Sequence, residues 1–234
     1  MSTNHQHNTC DIHKDHDDTL ISEIVHHVPY AVFSVALGFV VLSFLDFFSF
    51  KNGGFVANRE GAHLLFHSFH FLHIIFAVTG SLITFSRFSN NMVRGAITAV
   101  ISSLFFCTLS DVILPYLSGR ILGVSMHFHL CLASELHNVI PFLLIGLVNG
   151  LVMSRHSSNT KVFYSLGSHF SHILISSLAS LFYLISEGFS NWCPQMGVIF
   201  IFLMIAVVVP CTFADIIVPV FFAKLKKENE KHKT

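Results

Sequence analysis

Charge is scarce in this chain: Asp, Glu, Lys and Arg make up 11% of its 234 residues. A soluble domain of that size carries roughly a quarter. With 53% hydrophobic residues beside it, the shortage excludes an ordinary water-soluble fold and places the chain among integral membrane proteins. Net charge is zero, which excludes the basic footprint of a nucleic-acid partner. No CxxC pair occurs. The five cysteines (Cys10, Cys107, Cys131, Cys193 and Cys211) are scattered and odd in number, against a disulfide framework. No GxxxxGK[ST] loop is present to bind a nucleotide, and neither HExxH nor GxSxG marks a hydrolytic centre. A metal-dependent intramembrane hydrolase is therefore the least supported class, and an enzyme is the less favoured reading.

Histidine is the residue in excess: 17, against 13 for lysine and arginine together. Imidazole carries protons near neutrality and ligates metals and haem. Phenylalanine is also abundant, at 26, and suits packing between helices and against lipid.

Residues 1–22 are polar, with His5, His7, Cys10, His13 and His16 set among aspartates. No apolar stretch follows a basic start, so this reads as a mature cytoplasmic tail with the composition of a loose metal-binding segment. Six apolar segments follow, at about 24–48, 62–86, 95–118, 130–153, 163–186 and 196–223. Each exceeds the roughly 20 residues that cross a bilayer as a helix. If the N-terminus is cytoplasmic, ten of the 13 lysines and arginines fall inside and only Lys51, Arg59 and Arg120 outside. That bias predicts both termini in the cytoplasm of a plasma or bacterial inner membrane, with residues 224–234 as a basic cytoplasmic tail.

The segments repeat. CTLSDVILP (107–115) matches CTFADIIVP (211–219), and HFLHIIFAVTGSLITF (70–85) matches HFSHILISSLASLFYL (169–184). More loosely, EIVHHVP (23–29) matches ELHNVIP (135–141). The expected fold is therefore all-α, with two three-helix repeats over 23–118 and 130–223 joined by an outer connection at 119–129. Three is odd, so the second copy enters the membrane from the other side, as in the inverted repeats of secondary transporters.

That inversion sorts the chemistry into two sets. One holds His70 and His73, Cys107 and Asp111, and Glu135 and His137. Its mirror holds Glu23 and His27, His169 and His172, and Cys211 and Asp215. Cys107, Asp111 and Pro115 lie four apart and share a helix face, as do Cys211, Asp215 and Pro219. A proline has no N–H for the carbonyl four residues back, so each aspartate is expected to offer a freed backbone oxygen beside its carboxylate. An aspartate near the centre of a membrane helix costs about 2.5–3.5 kcal/mol, so it faces a partner or a water-filled path. No lysine or arginine lies in the apolar segments to pair with it.

Imidazole, carboxylate and thiol together suit zinc, manganese, nickel, cobalt or iron rather than magnesium. The reading is a transporter of a divalent transition-metal cation by alternating access, coupled to protons, acting alone, as a homo-oligomer or with additional subunits. The alternative is a two-haem b-type electron carrier. It would use His70 or His73 with His137, and His169 or His172 with His26 or His27.

Overall fold

The computed structural model describes residues 20–49, 59–155 and 161–231, and these are helical with no strand. The His-rich stretch 1–19 lies outside the described residues. The helices are α1 (Leu20–Ser49), α2 (Arg59–Phe88), α3 (Met92–Thr108), α4 (Leu114–Ile121), α5 (Cys131–Ser134), α6 (Leu136–Arg155), α7 (Lys161–Ser186), α8 (Met196–Thr212) and α9 (Val218–Lys231). Two π-helical turns, Leu109–Ile113 and Phe213–Ile217, join α3 to α4 and α8 to α9 without interrupting the rod.

Six stretches are therefore long and apolar enough to cross a bilayer: His27–Ser49, Arg59–Phe88, Met92–Ile121, Leu136–Arg155, His169–Ser186 and Cys193–Leu225. They coincide with the six segments read from sequence except at the fourth. There the chain makes the short α5, leaves helical geometry at Glu135 (φ −129°, ψ 33°), and begins the span at Leu136. Large apolar side chains such as Phe33, Phe47, Ile101, Val148 and Ile201 point outward, while Ser110, Ser176, Ser180, Asp111 and Asp215 are buried. That inside-out distribution is compatible with lipid around the bundle.

Two spans do most of the interior packing. Buried residues make up 78% of the most apolar 18-residue stretch of α7 and 56% of that of α2, more than in any other span. These are the two helices that carry the His-Phe-x-His motif. They run antiparallel: Phe66 meets Tyr183 at 5.0 Å, Phe69 stacks on Phe182, and further along His73 reaches His172. On its other flank α2 takes α6 through Gly146 and Gly150, spaced GxxxG. A Cβ on Gly146 would sit 3.0 Å from Val78 Cβ and 3.1 Å from the Ile75 carbonyl, so any larger residue would push the two helices apart by a few tenths of an ångström. Thr79 donates to the Gly146 carbonyl (3.1 Å) and accepts from Asn149 (3.3 Å), which fixes the register. The short turn between α2 and α3 is set by Asn91, whose side chain caps the Arg94 N–H.

Candidate metal centre

The CTxxDxxxP repeats become the two π-helical turns, and each turn presents its aspartate to the bundle interior. The Leu114 N–H bonds the Leu109 carbonyl and the Val218 N–H bonds the Phe213 carbonyl, both five residues back. In that register the acceptor left open by Pro115 belongs to Ser110, and the one left by Pro219 to Ala214. Both are filled: Ser180 donates to the Ser110 carbonyl (3.0 Å) and Ser102 to the Ala214 carbonyl (3.2 Å). The freed oxygen expected on each aspartate is thus displaced by one residue and taken by a serine hydroxyl. What the turns contribute is the carboxylates.

Asp111 is fully buried and saturated. Its Oδ2 accepts from Nδ1 of His70 (2.9 Å) and of His73 (2.7 Å), and its Oδ1 accepts from Ser110 (2.8 Å) and Ser176 (2.9 Å). Asp215 accepts from Nδ1 of His172 at 2.5 Å, with His169 farther off at 3.6 Å. Ionised carboxylates are acceptors only, so each Nδ1 supplies the proton and each Nε2 keeps a lone pair. The Nε2 atoms of His73 and His172 stand 2.6 Å apart. Two lone pairs at that separation repel, so a proton or a cation belongs between them.

A thiol stands beside the pair. The Cys211 Sγ lies 3.7 Å from the His73 Nε2, and the ligand atoms of His73, His172 and Cys211 all fall within 4.8 Å of one another. Cys107, its counterpart in the first repeat, also interacts with His73. Tetrahedral zinc, with its ordinary bond lengths, separates an imidazole nitrogen from a thiolate sulfur by about 3.6 Å and two nitrogens by about 3.3 Å. The His73–Cys211 edge already has that length, and the His–His edge need open by only about 0.7 Å from its 2.6 Å. Carboxylates on the far ring nitrogens are the usual outer shell of metal-binding histidines, since they hold the ring and raise its basicity.

No family model, curated protein or solved structure matches the chain. Its functional reading rests on this geometry.

The two halves are not equivalent. Asp215 Oδ1 is buried and has no hydrogen-bond partner among the described residues, whereas both oxygens of Asp111 are filled. The Asp215 carboxylate lies against the backbone of Gly80, where a Cβ would meet all three carboxylate atoms at 3.2–3.3 Å. Gly80 and the Asp111-binding Ser176 are residues that sequence reasoning missed. A glycine or serine inside an apolar helix carries no distinctive signal until its neighbour is known.

Of the residues expected at the site, the structure brings together His70, His73, His172, His169, Asp111, Asp215, Cys107 and Cys211. His27 is placed one step beyond, its ring edge-on to His169 at 5.3 Å. The Glu23 side chain lies outside the described residues. Glu135 is away from the centre, 3.3 Å from the His67 Nε2, and His137 is exposed at the start of α6. Burial opposes ionisation of Glu135, but the Asn138 amide and the imidazoles of His67, His129 and His63 hold its carboxyl below the usual range. At the same end burial pushes the Cys131 thiol up to about 12 and raises the Glu187 carboxyl.

Proposed function

We propose that this protein carries a divalent transition-metal cation across a membrane in exchange for protons, using two inverted three-helix repeats that meet at the His73–His172 pair. The observation that carries the reading is that pair itself: two imidazoles from antiparallel helices, each held through Nδ1 by an intramembrane aspartate, aiming their free nitrogens at one point. His73 lies half-way along α2, as expected of a substrate site at the interface of two repeats.

The same point supplies the coupling. A 2.6 Å gap between Nε2 atoms suits a shared proton, and a gap opened to about 3.3 Å suits a coordinated ion. Proton and cation compete for the same lone pairs, so loading one expels the other. Alternating access follows if rocking of one repeat against the other exposes this point to each side in turn. Thiol and imidazole ligands favour zinc, cobalt, nickel or iron over magnesium, and manganese is the hardest ion the set would accept. The excess of lysine and arginine on one side places both termini in the cytoplasm in this reading.

The haem alternative draws no support from the geometry. His73 and His172 are too close to admit a macrocycle, and His137, the partner that the haem reading gives to His70 or His73, is exposed at the start of α6. The His27 and His169 rings are in edge-to-face contact.

Reconstituted liposomes with a metal-sensitive dye inside test the proposal. Uptake of zinc or cobalt is expected, driven by an opposing proton gradient and accompanied by proton efflux. Folded protein that moves neither ion overturns the reading. A Soret band in the purified protein overturns it in favour of haem.

A further inference from the structure

A second group of imidazoles lies at the end of the bundle where α2 begins and α7 ends. His63 and His67 occupy successive turns of α2, and His129 reaches over them from the connection between α4 and α5. Their ligand nitrogens fall within 4.8 Å of one another. The ring centroids of His63 and His67 are 4.2 Å apart, and those of His63 and His129 5.3 Å. None of the three contacts the central aspartates in the described structure, so the central network does not explain them.

Their chemistry is that of ligands. His67 donates Nδ1–H to the His63 carbonyl (3.0 Å), which leaves its Nε2 as the lone pair. Around that nitrogen stand the Cys131 thiol at 3.4 Å and the Glu135 carboxylate at 3.3 Å. His129 is fixed by its backbone, whose N–H and carbonyl both bond the Tyr183 hydroxyl at 3.3 Å. Its Nε2 is buried and has no hydrogen-bond partner among the described residues. A buried polar atom without a partner is expensive, and a cation shared with His63 and His67 would satisfy it. The group borders an open cavity of about 540 Å³ lined by Arg59, Glu60, His63, His67, Glu135 and Asn138.

We propose that His63, His67 and His129, with Glu135 as a fourth ligand, form a second site for the same class of cation, which loads the central one. The proposal rests on the transport reading for its role but not for its existence. Three neutral imidazoles and a carboxylate select a borderline divalent ion such as Zn²⁺ or Co²⁺. The stripe continues inward: from His63 through His67 and His70 to His73 is ten residue steps along α2, about 15 Å of helix rise. The ion thus starts at a half-exposed site of three imidazoles and ends at a buried one whose imidazoles are held by aspartates. Its affinity should rise along that path, because only the central imidazoles have carboxylates behind them.

Equilibrium dialysis of the full-length purified protein against Co²⁺, with the d–d absorption band recorded, tests this. The double variant His63→Ala/His129→Ala is expected to bind one equivalent fewer than wild type. The double variant His73→Ala/His172→Ala should lose a different equivalent with a distinct, thiolate-containing spectrum. In liposomes, His63→Ala/His129→Ala should raise the half-saturating metal concentration about tenfold or more while leaving maximal flux within about twofold, the result expected of a loading site. If that variant binds as much Co²⁺ as wild type, the second site is absent, whatever the central site does. If it binds one fewer and flux is unchanged at every concentration, the site exists but does not load the centre, and the loading role falls. Loss confined to His73→Ala/His172→Ala upholds the central site and overturns this one. Loss confined to His63→Ala/His129→Ala does the reverse. Circular dichroism of each variant separates a lost site from a lost fold.

Discussion

Purified Asp111→Asn protein is expected to melt well below wild type, whereas Asp215→Asn protein should melt close to it, although the two aspartates occupy matching places in matching motifs. Asp111 accepts four hydrogen bonds, two on each oxygen. An amide there can keep both imidazole N–H groups on its carbonyl only if the Ser110 and Ser176 hydroxyls turn to accept from its NH2, and all four bonds then lose the charge of the carboxylate. A hydrogen bond to a charged group contributes about 1.5–3 kcal/mol against about 0.5–1.5 for a neutral one, so the four together lose about 3 kcal/mol or more. Asp215 has an unpartnered oxygen, and asparagine can place its NH2 there while its carbonyl still accepts from His172. No hydrogen bond is lost, but the negative charge behind His172 is. Metal affinity should then fall by about 10–100-fold, the usual effect of losing an outer-shell partner. Thermal melts in detergent, paired with metal titrations of both variants, check this. Equal melting temperatures would show that the asymmetry between the halves is not real.

His172→Ala is expected to have the larger functional effect. It deletes one of the two nitrogens that define the central point and leaves His73 facing a void across the former 2.6 Å contact. Loss of metal affinity should exceed the 10–100-fold range of outer-shell changes, and flux in liposomes should fall to background. His70→Gln is the control. His70 bonds Asp111 but not the bridging position, and a glutamine amide can still donate to the carboxylate. Its flux should stay within about tenfold of wild type. If the two variants lose flux equally, the bridging pair is not where the cation binds.

Much of this arrangement is legible in the sequence because it rests on strong local signals. Six apolar runs without lysine or arginine give six spans, and the CTxxDxxxP and HFxHI repeats mark the helices that supply the central residues. What stays hidden is register and partnership. The four-residue rule for proline puts the open carbonyl on the aspartate, but the π-helical turn moves it to Ser110 and Ala214. The seryl partners Ser102, Ser176 and Ser180 look like any small residue in a membrane helix. Glu135 and His137 are two apart in sequence, yet the helix start at Leu136 turns one towards His67 and leaves the other exposed. His129 sits in a connection with no periodicity to aim it, and only the fold over α2 brings it to His63.

The absence of lysine and arginine from the six apolar segments has an electrical consequence. Two carboxylates, two neutral imidazoles and a Cys211 thiolate leave the central site with a formal charge of minus three, which a single divalent ion brings to minus one. The thiol proton and the proton shared by His73 and His172 together bring it to the same value. A carrier that exchanges the ion for these two protons moves no net charge, and its turnover should be indifferent to a potassium diffusion potential imposed with valinomycin while responding to a pH difference. Flux that tracks voltage would mean that a charge on this path has gone uncounted.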